Sequence, residues 1–290
     1  MPVALGRHAS RAASRAASRA AARATPPSLM PRVHQQRMMD DELCILVDEA
    51  DAPLTDRPPV SKREAHRAGG ACMHPHHGVP HRAFSVFLFN ERDELLVQKR
   101  AATKLLFPGH WANTVCSHPL ADGSVFLGER VVGEADGEEG VRRAARRKLA
   151  HELGLDLPAD AFRLVARVLY RAQYDDEWGE HELDCILFAR LGDKALPSMA
   201  LHPDEVEGVR WLGRDECAAF LDNESISASP WFDTIARSLL LPHWWPAMAA
   251  ARRSGGGGGE GGDGGGLLPP TESGVHDLRE SPPRRGGACA

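Results

Sequence analysis

The sequence predicts a single domain of the α/β (α+β) class, built on a mixed β-sheet flanked by helices. The 290 residues, of which 42% are hydrophobic, are enough for one sizeable core. Strand-like and helix-like segments alternate in an irregular order without an internal repeat. No apolar run reaches the ~18 residues that a bilayer span requires. These features exclude a repeat protein and a transmembrane protein.

The first segment, residues 1–37, differs in composition from the rest. Residues 1–33 contain six Arg and no Asp or Glu, with an Arg at every fourth position among Ala and Ser over most of this stretch. This composition is typical of an organelle transit peptide, and a solvated basic arm is the alternative. We expect the segment to lie outside the fold and to direct the chain to a plastid, with mitochondrion or cytoplasm as alternatives.

The next elements follow from local patterns. Two β-favouring runs at 82–89 and 94–98, separated by NERD, predict a hairpin. Helix formers over 141–153 end before Gly154, which suits the left-handed position after a helix. Later segments predict strands at 162–173, 180–191 and 205–212, and helices at 214–221 and 231–241.

The two ends of the predicted domain are set by composition. The run SGGGGGEGGDGGG begins at Ser254 and cannot bury enough apolar surface to offset the entropy of ordering glycine. We therefore predict a folded body over residues 38–252 and a Gly-rich disordered tail over 253–290.

Charge and cysteine content limit the possible partners. The net charge is −5 although the first segment is basic, so the body is acidic and disfavours nucleic-acid binding. Six Cys without a CxxC pair indicate reduced thiols rather than a disulfide framework. We expect a small-molecule substrate, no nucleic-acid or membrane partner, and a monomer.

Candidate chemistry lies in two short motifs. In GEHELD, Glu180 and Glu182 fall on one face of a predicted strand, about 7 Å apart. In CSHP, Cys116 and His118 stand beside a proline. These groups together fit a metal site or an acid/base site. A solvated edge strand and a buried structural thiol are the alternatives.

A histidine-rich stretch precedes the first long strand. Five His lie between Lys62 and Ser85, and His81 opens the predicted strand. Imidazoles with carboxylates suit a divalent ion such as Zn²⁺, Mn²⁺ or Mg²⁺, and ligand softness favours the first two.

Seven blocks in order resemble the type I isopentenyl-diphosphate Δ-isomerases of the Nudix superfamily. They are HRAFSVFLFN, LLVQKRAATK, FPGHWANTVCSHPL, GVRRAARRKLAHELG, YRAQYDDEWGEHELD, SPWF and the late WW pair. The resemblance implies a Nudix-like fold and the interconversion of isopentenyl and dimethylallyl diphosphate in isoprenoid precursor biosynthesis. The Nudix box keeps Glu152 but has Lys148 and His151 at two acidic positions.

The resemblance also implies residue roles. Cys116 and Glu182 match the catalytic pair, and Tyr170 adjusts the proton supply of Glu182. The matched ligands of one divalent ion (Mg²⁺, Mn²⁺ or Zn²⁺) are His66, His81, His118, Glu180 and Glu182, with His74 as the alternative to His66. A second Mg²⁺ bound with the diphosphate is matched to Glu152. The substrate contacts are matched to Lys62, Arg100, Lys104, Ser117 and Trp231.

The residue types fit the reaction. Moving an unactivated double bond needs an acid and a base that face each other across a flat hydrocarbon, with Glu182 as donor and a Cys116 thiolate as acceptor. Aromatic faces at Trp111, Tyr170 and Trp231 would stabilise the intermediate cation. A Nudix pyrophosphohydrolase is the alternative function, disfavoured because Lys148 and His151 replace water-activating carboxylates and because Cys116 would have no task.

Overall fold

The computed structural model describes residues 29–76, 78–192, 199–254 and 268–279. The described helices are α1 (Leu29–Asp41), α2 (Lys62–His66), α3 (Gly137–Leu153), α4 (Arg214–Asp222), α5 (Pro230–Ile235), a π-helix (Ala236–Trp244), α6 (Trp245–Ser254) and a 3₁₀ turn (Ala159–Ala161). The described strands are β1 (Leu43–Cys44), β2 (Val60–Ser61), β3 (His81–Phe89), β4 (Leu95–Arg100), β5 (Trp111–Ala112), β6 (Val115–Ser117), β7 (Val125–Phe126), β8 (Glu129–Arg130), β9 (Arg163–Gln173), β10 (Gly179–Arg190), β11 (Val206–Leu212) and β12 (Val275–Asp277).

Eight strands form one mixed sheet in the order β11-β4-β3-β10-β9-β12, with β5 paired to β4 and β6 paired to β3. The β3/β10 and β9/β12 pairs are parallel, and the others are antiparallel. β10 is central and buried along nearly its whole length. The predicted α/β domain with a mixed sheet is therefore confirmed.

The sheet has a hydrophobic core on each face. One core packs α3 against the sheet through residues such as Ala144 and Leu149. The other packs α4, α5 and the later helices against it through residues such as Phe232 and Trp244. The predicted hairpin is present, because β3 and β4 pair at Phe89 and Leu95. The predicted end of α3 is also present, since Gly154 has φ 67°.

The N-terminal boundary lies earlier than predicted. Helix α1 begins at Leu29, and its Gln35 side chain is buried and donates hydrogen bonds to the Asp204 carbonyl (3.2 Å) and to Glu205 Oε1 (3.1 Å). The part of α1 around Gln35 thus belongs to the folded body, because a distant loop satisfies the Gln35 side-chain amide. The remainder of the predicted transit peptide, residues 1–28, lies outside the described residues.

The tail prediction is wrong for residues 268–279. β12 adds a parallel strand to the edge of β9. The Trp244 indole donates a hydrogen bond to Glu272 (2.7 Å), and Leu268 is buried in the core. By pairing with the edge of β9, β12 gains backbone hydrogen bonds and covers a sheet edge. These contacts offset the entropy lost when the segment after the glycine-rich run becomes ordered. Residues 255–267 and 280–290 lie outside the described residues.

Among the described helices, none combines the length and apolarity needed to cross a bilayer.

Candidate active site

Strand register brings three predicted site residues together. Glu182 on β10 is the direct partner of His81 on the parallel strand β3. On its other side, Glu182 is the partner of Tyr170 on β9. Neighbouring strands lie about 4.8 Å apart, so the three side chains share one position along the sheet. This arrangement depends on backbone pairing and is rigid.

Two more histidines reach the same point from outside the sheet. His66 ends α2, which begins after Ser61, whose hydroxyl accepts a hydrogen bond from the Glu64 amide. The His66 Nδ1 lies 2.7 Å from the Lys62 carbonyl, which fixes the ring. His118 directly follows β6.

These four residues form one buried cluster, which we call the histidine cage (His66, His81, His118 and Glu182). The Nε2 atoms of His118, His81 and His66 lie 3.0, 3.3 and 3.6 Å from Glu182 Oε1. One ligand atom from each residue lies within 4.8 Å of the others. The sequence left His66 and His74 as alternatives, and the structure brings His66 into the cage.

The cage is chemically suited to a divalent ion. Burial lowers the pKa of His81 to about 4 and that of His118 to about 3, so both imidazoles are neutral and can donate a lone pair. Both ring nitrogens of His81 and the Nδ1 of His118 are buried without a hydrogen-bond partner in the described structure. Buried polar atoms are seldom left unpaired, and a metal ion would satisfy them. The cluster can therefore hold a divalent metal.

Tyr170 connects the two glutamates of the GEHELD motif. Its hydroxyl lies 2.5 Å from Glu180 Oε2 and 2.7 Å from Glu182 Oε2. A phenol has one hydrogen to donate, so one carboxyl group must carry a proton of its own. Burial and the Glu182 charge raise the pKa of Glu180 to about 8. Burial opposes ionisation of Glu182 too, but the three imidazoles around its Oε1 outweigh burial and lower its pKa. The proton therefore resides on Glu180.

Cys116 lies on β6 opposite Ser85 of β3. Burial raises the pKa of its thiol to about 12, and the nearest opposing influence is the Arg100 guanidinium, whose Nη1 lies 3.9 Å from Sγ. The thiol, and not the expected thiolate, is the resting form in this environment.

The cleft wall also carries four cations, which we call the cationic group (Lys62, Arg100, Lys104 and Lys148). Each lysine pairs with a carboxylate: Lys62 with Glu42 (3.0 Å), Lys104 with Glu205 (2.5 Å) and Lys148 with Glu152 (2.9 Å). Arg100 instead donates to the carbonyls of Phe107 (3.1 Å) and Leu106 (2.9 Å) and lies over the Trp231 ring. Within the described ranges, no carboxylate pairs with Arg100.

Both groups open onto one cleft of about 650 Å³, part of it open to solvent. Its walls contain most residues predicted as site residues, namely Lys62, His66, Arg100, Lys104, Cys116, Ser117, His118, Glu180, Glu182 and Trp231. The cleft therefore offers a thiol, a carboxylate, a metal cage and cations to one small molecule.

Some predicted residues have other surroundings. Glu180 bonds to Tyr170 and does not join the cage. Glu152 is buried between Lys148 and Gln98, which donates to it at 2.9 Å, and it does not line the cleft. Trp111 packs edge-on against Phe220 instead of facing the cleft.

Sequence reasoning missed a further set of residues near the cleft. Gln35, Met38 and Met39 of α1 form part of its wall. Asp184 is buried on β10, where it accepts a hydrogen bond from the Ser85 hydroxyl (2.7 Å), and burial near Glu182 raises its pKa. The alternation of Glu180, Glu182 and Asp184 along one strand face was the available signal for Asp184. α1 carries no comparable signal.

Comparisons with known proteins agree with this geometry. The NUDIX domain model matches residues 79–232. Isopentenyl-diphosphate Delta-isomerase I of Clarkia breweri is 41% identical over 219 residues, which cover 73% of this chain and 70% of that protein. Isopentenyl-diphosphate Delta-isomerase II, chloroplastic, of Arabidopsis thaliana is 39% identical, with 73% and 71% covered. The isopentenyl-diphosphate delta-isomerase of Schizosaccharomyces pombe is 38% identical, with 73% and 86% covered.

Proposed function

Because this chain belongs to the isopentenyl-diphosphate Delta-isomerase family of the NUDIX superfamily, we propose that its cleft interconverts isopentenyl diphosphate and dimethylallyl diphosphate. The observation that carries the proposal is the presence of Cys116 and Glu182 in one cleft, with Glu182 held by three imidazoles. A double-bond shift needs one proton donor and one proton acceptor on opposite sides of the substrate.

The protein groups supply both proton transfers. A proton added to the terminal carbon of isopentenyl diphosphate converts its double bond into a tertiary cation. Loss of a proton from the carbon next to the CH₂–O group then forms the new double bond. Cys116 and Glu182 exchange these protons, and their roles reverse with the direction of the reaction. After each turnover the acceptor holds one extra proton and the donor lacks one, so one proton has to pass back from the acceptor to the donor. Tyr170 and Glu180, which bond to Glu182, would carry that proton to or from Glu182.

The aromatic wall supports the cationic state. Trp231 is buried at the cleft, and its indole donates a hydrogen bond to Asn113 (3.0 Å), which fixes the ring. An aromatic face stabilises a desolvated cation by about 2 kcal/mol. Arg100 over the same ring is free of carboxylate partners in the described part of the chain, so it can turn to the diphosphate.

A divalent ion fits the histidine cage, where His66, His81, His118 and Glu182 would hold it. When bound, such an ion holds the Glu182 carboxylate in place and adjusts its basicity. Imidazole ligands favour Zn²⁺ or Mn²⁺ over Mg²⁺ at this position. Glu180 stays with Tyr170 in this proposal and joins the ligands only if its side chain turns.

The diphosphate would bind the cationic group, with Ser117 beside it. Three of the four cations already have carboxylate partners, so an incoming diphosphate competes with Glu42, Glu152 and Glu205. A second Mg²⁺ bound with the diphosphate would reduce this competition by adding positive charge, since Mg²⁺ takes oxygen ligands. Glu152 is the carboxylate that would help to hold it, provided that its side chain leaves Lys148.

The alternative reaction is hydrolysis of a diphosphate bond. Lys148 and His151 occupy positions where water-activating carboxylates are expected, and Lys148 is buried in an ion pair. The Lys148 ammonium would bind the diphosphate but cannot activate a water molecule as a carboxylate would, which favours retention of an intact diphosphate. Hydrolysis also offers no task for Cys116.

The test is an assay of the full chain with isopentenyl diphosphate and Mg²⁺. We expect dimethylallyl diphosphate to form, with no release of phosphate or pyrophosphate. Release of either anion without isomerisation would support the hydrolase instead.

Delivery and assembly are separate proposals. We propose that residues 1–28 address the chain to a plastid, because their composition fits a transit peptide and relatives from Arabidopsis thaliana are named chloroplastic. A fluorescent reporter fused to residues 1–40 should enter that organelle, and a uniformly cytosolic signal would contradict the proposal. We also propose a monomer that binds no nucleic acid, and sedimentation of the full chain tests its mass.

A further inference from the structure

Three histidines from distant parts of the chain meet outside the catalytic cleft. His34 lies on α1, His151 on α3, and His202 in the loop before β11. The ring centres of His151 and His202 are 4.6 Å apart, and those of His34 and His202 are 6.0 Å apart. One ligand nitrogen from each ring lies within 4.8 Å of the others. The sequence separation of these residues means that tertiary folding alone brings them together.

The ring nitrogens of this group lack partners. His34 Nε2 and both nitrogens of His151 are shielded from solvent and make no hydrogen bond to any described residue. His202 Nδ1 accepts a hydrogen bond from the Asp204 amide (3.2 Å), which leaves its Nε2 to face the other rings. Shielded polar atoms without partners cost free energy, so the group needs an explanation.

We propose that His34, His151 and His202 form a second metal site, which binds Zn²⁺ and fastens α1 to α3. Three imidazoles and one water complete the tetrahedral shell that zinc takes when it has three protein ligands. Zinc–nitrogen bonds of ~2.0–2.1 Å place the ligand atoms roughly 3.4 Å apart, so small ring rotations close the site. Mg²⁺ prefers oxygen ligands and would not compete. The Lys148 ammonium and the Glu205 carboxylate also face His151, and their opposite charges offset each other.

The site has a consequence for the cleft. The residue after His34, Gln35, bonds Glu205, and Gln35, Met38 and Met39 all line the cleft. A zinc ion on His34 therefore holds a wall of the cleft in place without contact with the reacting groups. Zinc would tighten the docking of α1.

The experiment measures zinc bound to the full chain after chelator treatment, reloading and desalting. Each cluster should hold one ion, so the wild-type chain should bind two. His34→Ala and His202→Ala should each bind one, and His34→Ala/His81→Ala none. His243→Ala is the matched control, because His243 is exposed and belongs to neither cluster. This variant should bind two zinc ions. The ion retained in the histidine cage shows that each single variant is folded.

A second readout follows α1 itself. Arg37 is exposed on this helix and is a cleavage site for trypsin. Zinc should slow cleavage after Arg37 by at least ~10-fold in the wild-type chain and in His243→Ala, and not in His34→Ala. Equal zinc content in the wild-type chain and in His34→Ala would overturn the proposal, whereas one ion in the wild-type chain and none in His34→Ala would show that the histidine cage alone fails to bind. Cleavage that zinc does not slow in the wild-type chain would also overturn the proposal.

Discussion

The histidine cage and the cationic group belong to one cleft but are built differently. In the cage, three imidazoles converge on one carboxylate oxygen, and both ring nitrogens of His81 and the Nδ1 of His118 make no hydrogen bond to any described residue. In the cationic group, each lysine already forms an ion pair with a carboxylate. The cage is thus preorganised for an added cation, whereas three of the four members of the cationic group are charge-paired before an anion arrives.

This difference assigns separate tasks to the histidine cage and the cationic group. Side chains fixed by strand register suit proton transfer, which depends on small differences in geometry. Lysines that can exchange a carboxylate partner for a phosphate oxygen suit a diphosphate, because the net charge of the diphosphate depends on the metal ion bound to it. We therefore expect changes in the cage to alter turnover and metal content, and changes in the cationic group to alter substrate affinity.

The largest expected effect is that of Glu182→Gln. This variant keeps the shape of the side chain but removes the charge that three imidazoles face and replaces one of the two acceptor oxygens, which His118 and Tyr170 contact, with an NH₂ group. Turnover should fall by at least ~10³-fold, and the tightly bound ion should be lost. The matched variant Glu180→Gln should keep the ion, because Glu180 stands outside the cage. Metal analysis measures the bound ion in both variants, and an isomerase assay measures their turnover. Retention of the ion by Glu182→Gln would contradict the role of Glu182 in the cage.

Cys116→Ala should lower turnover as strongly but leave the metal content unchanged. The variant removes one of the two proton-transferring groups, and Cys116 is not a member of the cage. A reduction of at least ~10³-fold is expected, with one ion still bound in the cage. Cys217→Ala is the control, because this thiol lies on α4, is buried in the core and should affect only stability. Near wild-type turnover in Cys116→Ala would remove the thiol from the mechanism.

Arg100→Gln tests the cationic group. Within the described ranges, Arg100 is the member without a carboxylate partner, so its loss removes binding charge without stranding a buried anion. One charge-assisted hydrogen bond contributes about 1.5–3 kcal/mol, so KM should rise by roughly 10- to 100-fold while kcat changes little. Lys99→Gln is the control, since Lys99 is the preceding residue on β4 and pairs with Glu207 at the surface. A large fall in kcat with unchanged KM would contradict the division of tasks.

The same contrast explains what the sequence could predict. Each cage residue stands in a compact motif, and the period of a strand already put Glu180 and Glu182 on one face. The end of α3 at Gly154 was equally local. Around the cationic group, Lys148 and Glu152 are one helical turn apart, but other contacts join distant parts of the sequence: Lys104 and Glu205 are separated by 101 residues, and Gln35 and Glu205 by 170. β12 was hidden for the same reason, because three residues after a glycine-rich run gain order only by pairing with β9.

The smallest expected effect concerns α1, whose Gln35 bonds to Glu205, the partner of Lys104. A chain that begins at residue 29 should match the full chain in kcat and KM, because the described contacts of α1 are kept. A chain that begins at residue 38 loses Gln35, so Glu205 loses a hydrogen bond and holds Lys104 differently. Its KM should rise by about 3- to 10-fold, in line with the ~1 kcal/mol of one hydrogen bond, while kcat and the ion in the cage stay unchanged. Equal KM values in the two chains would show that α1 is dispensable, as its composition alone predicts. Loss of the ion from the cage on truncation would instead mean that the histidine cage and the cationic group are coupled through α1.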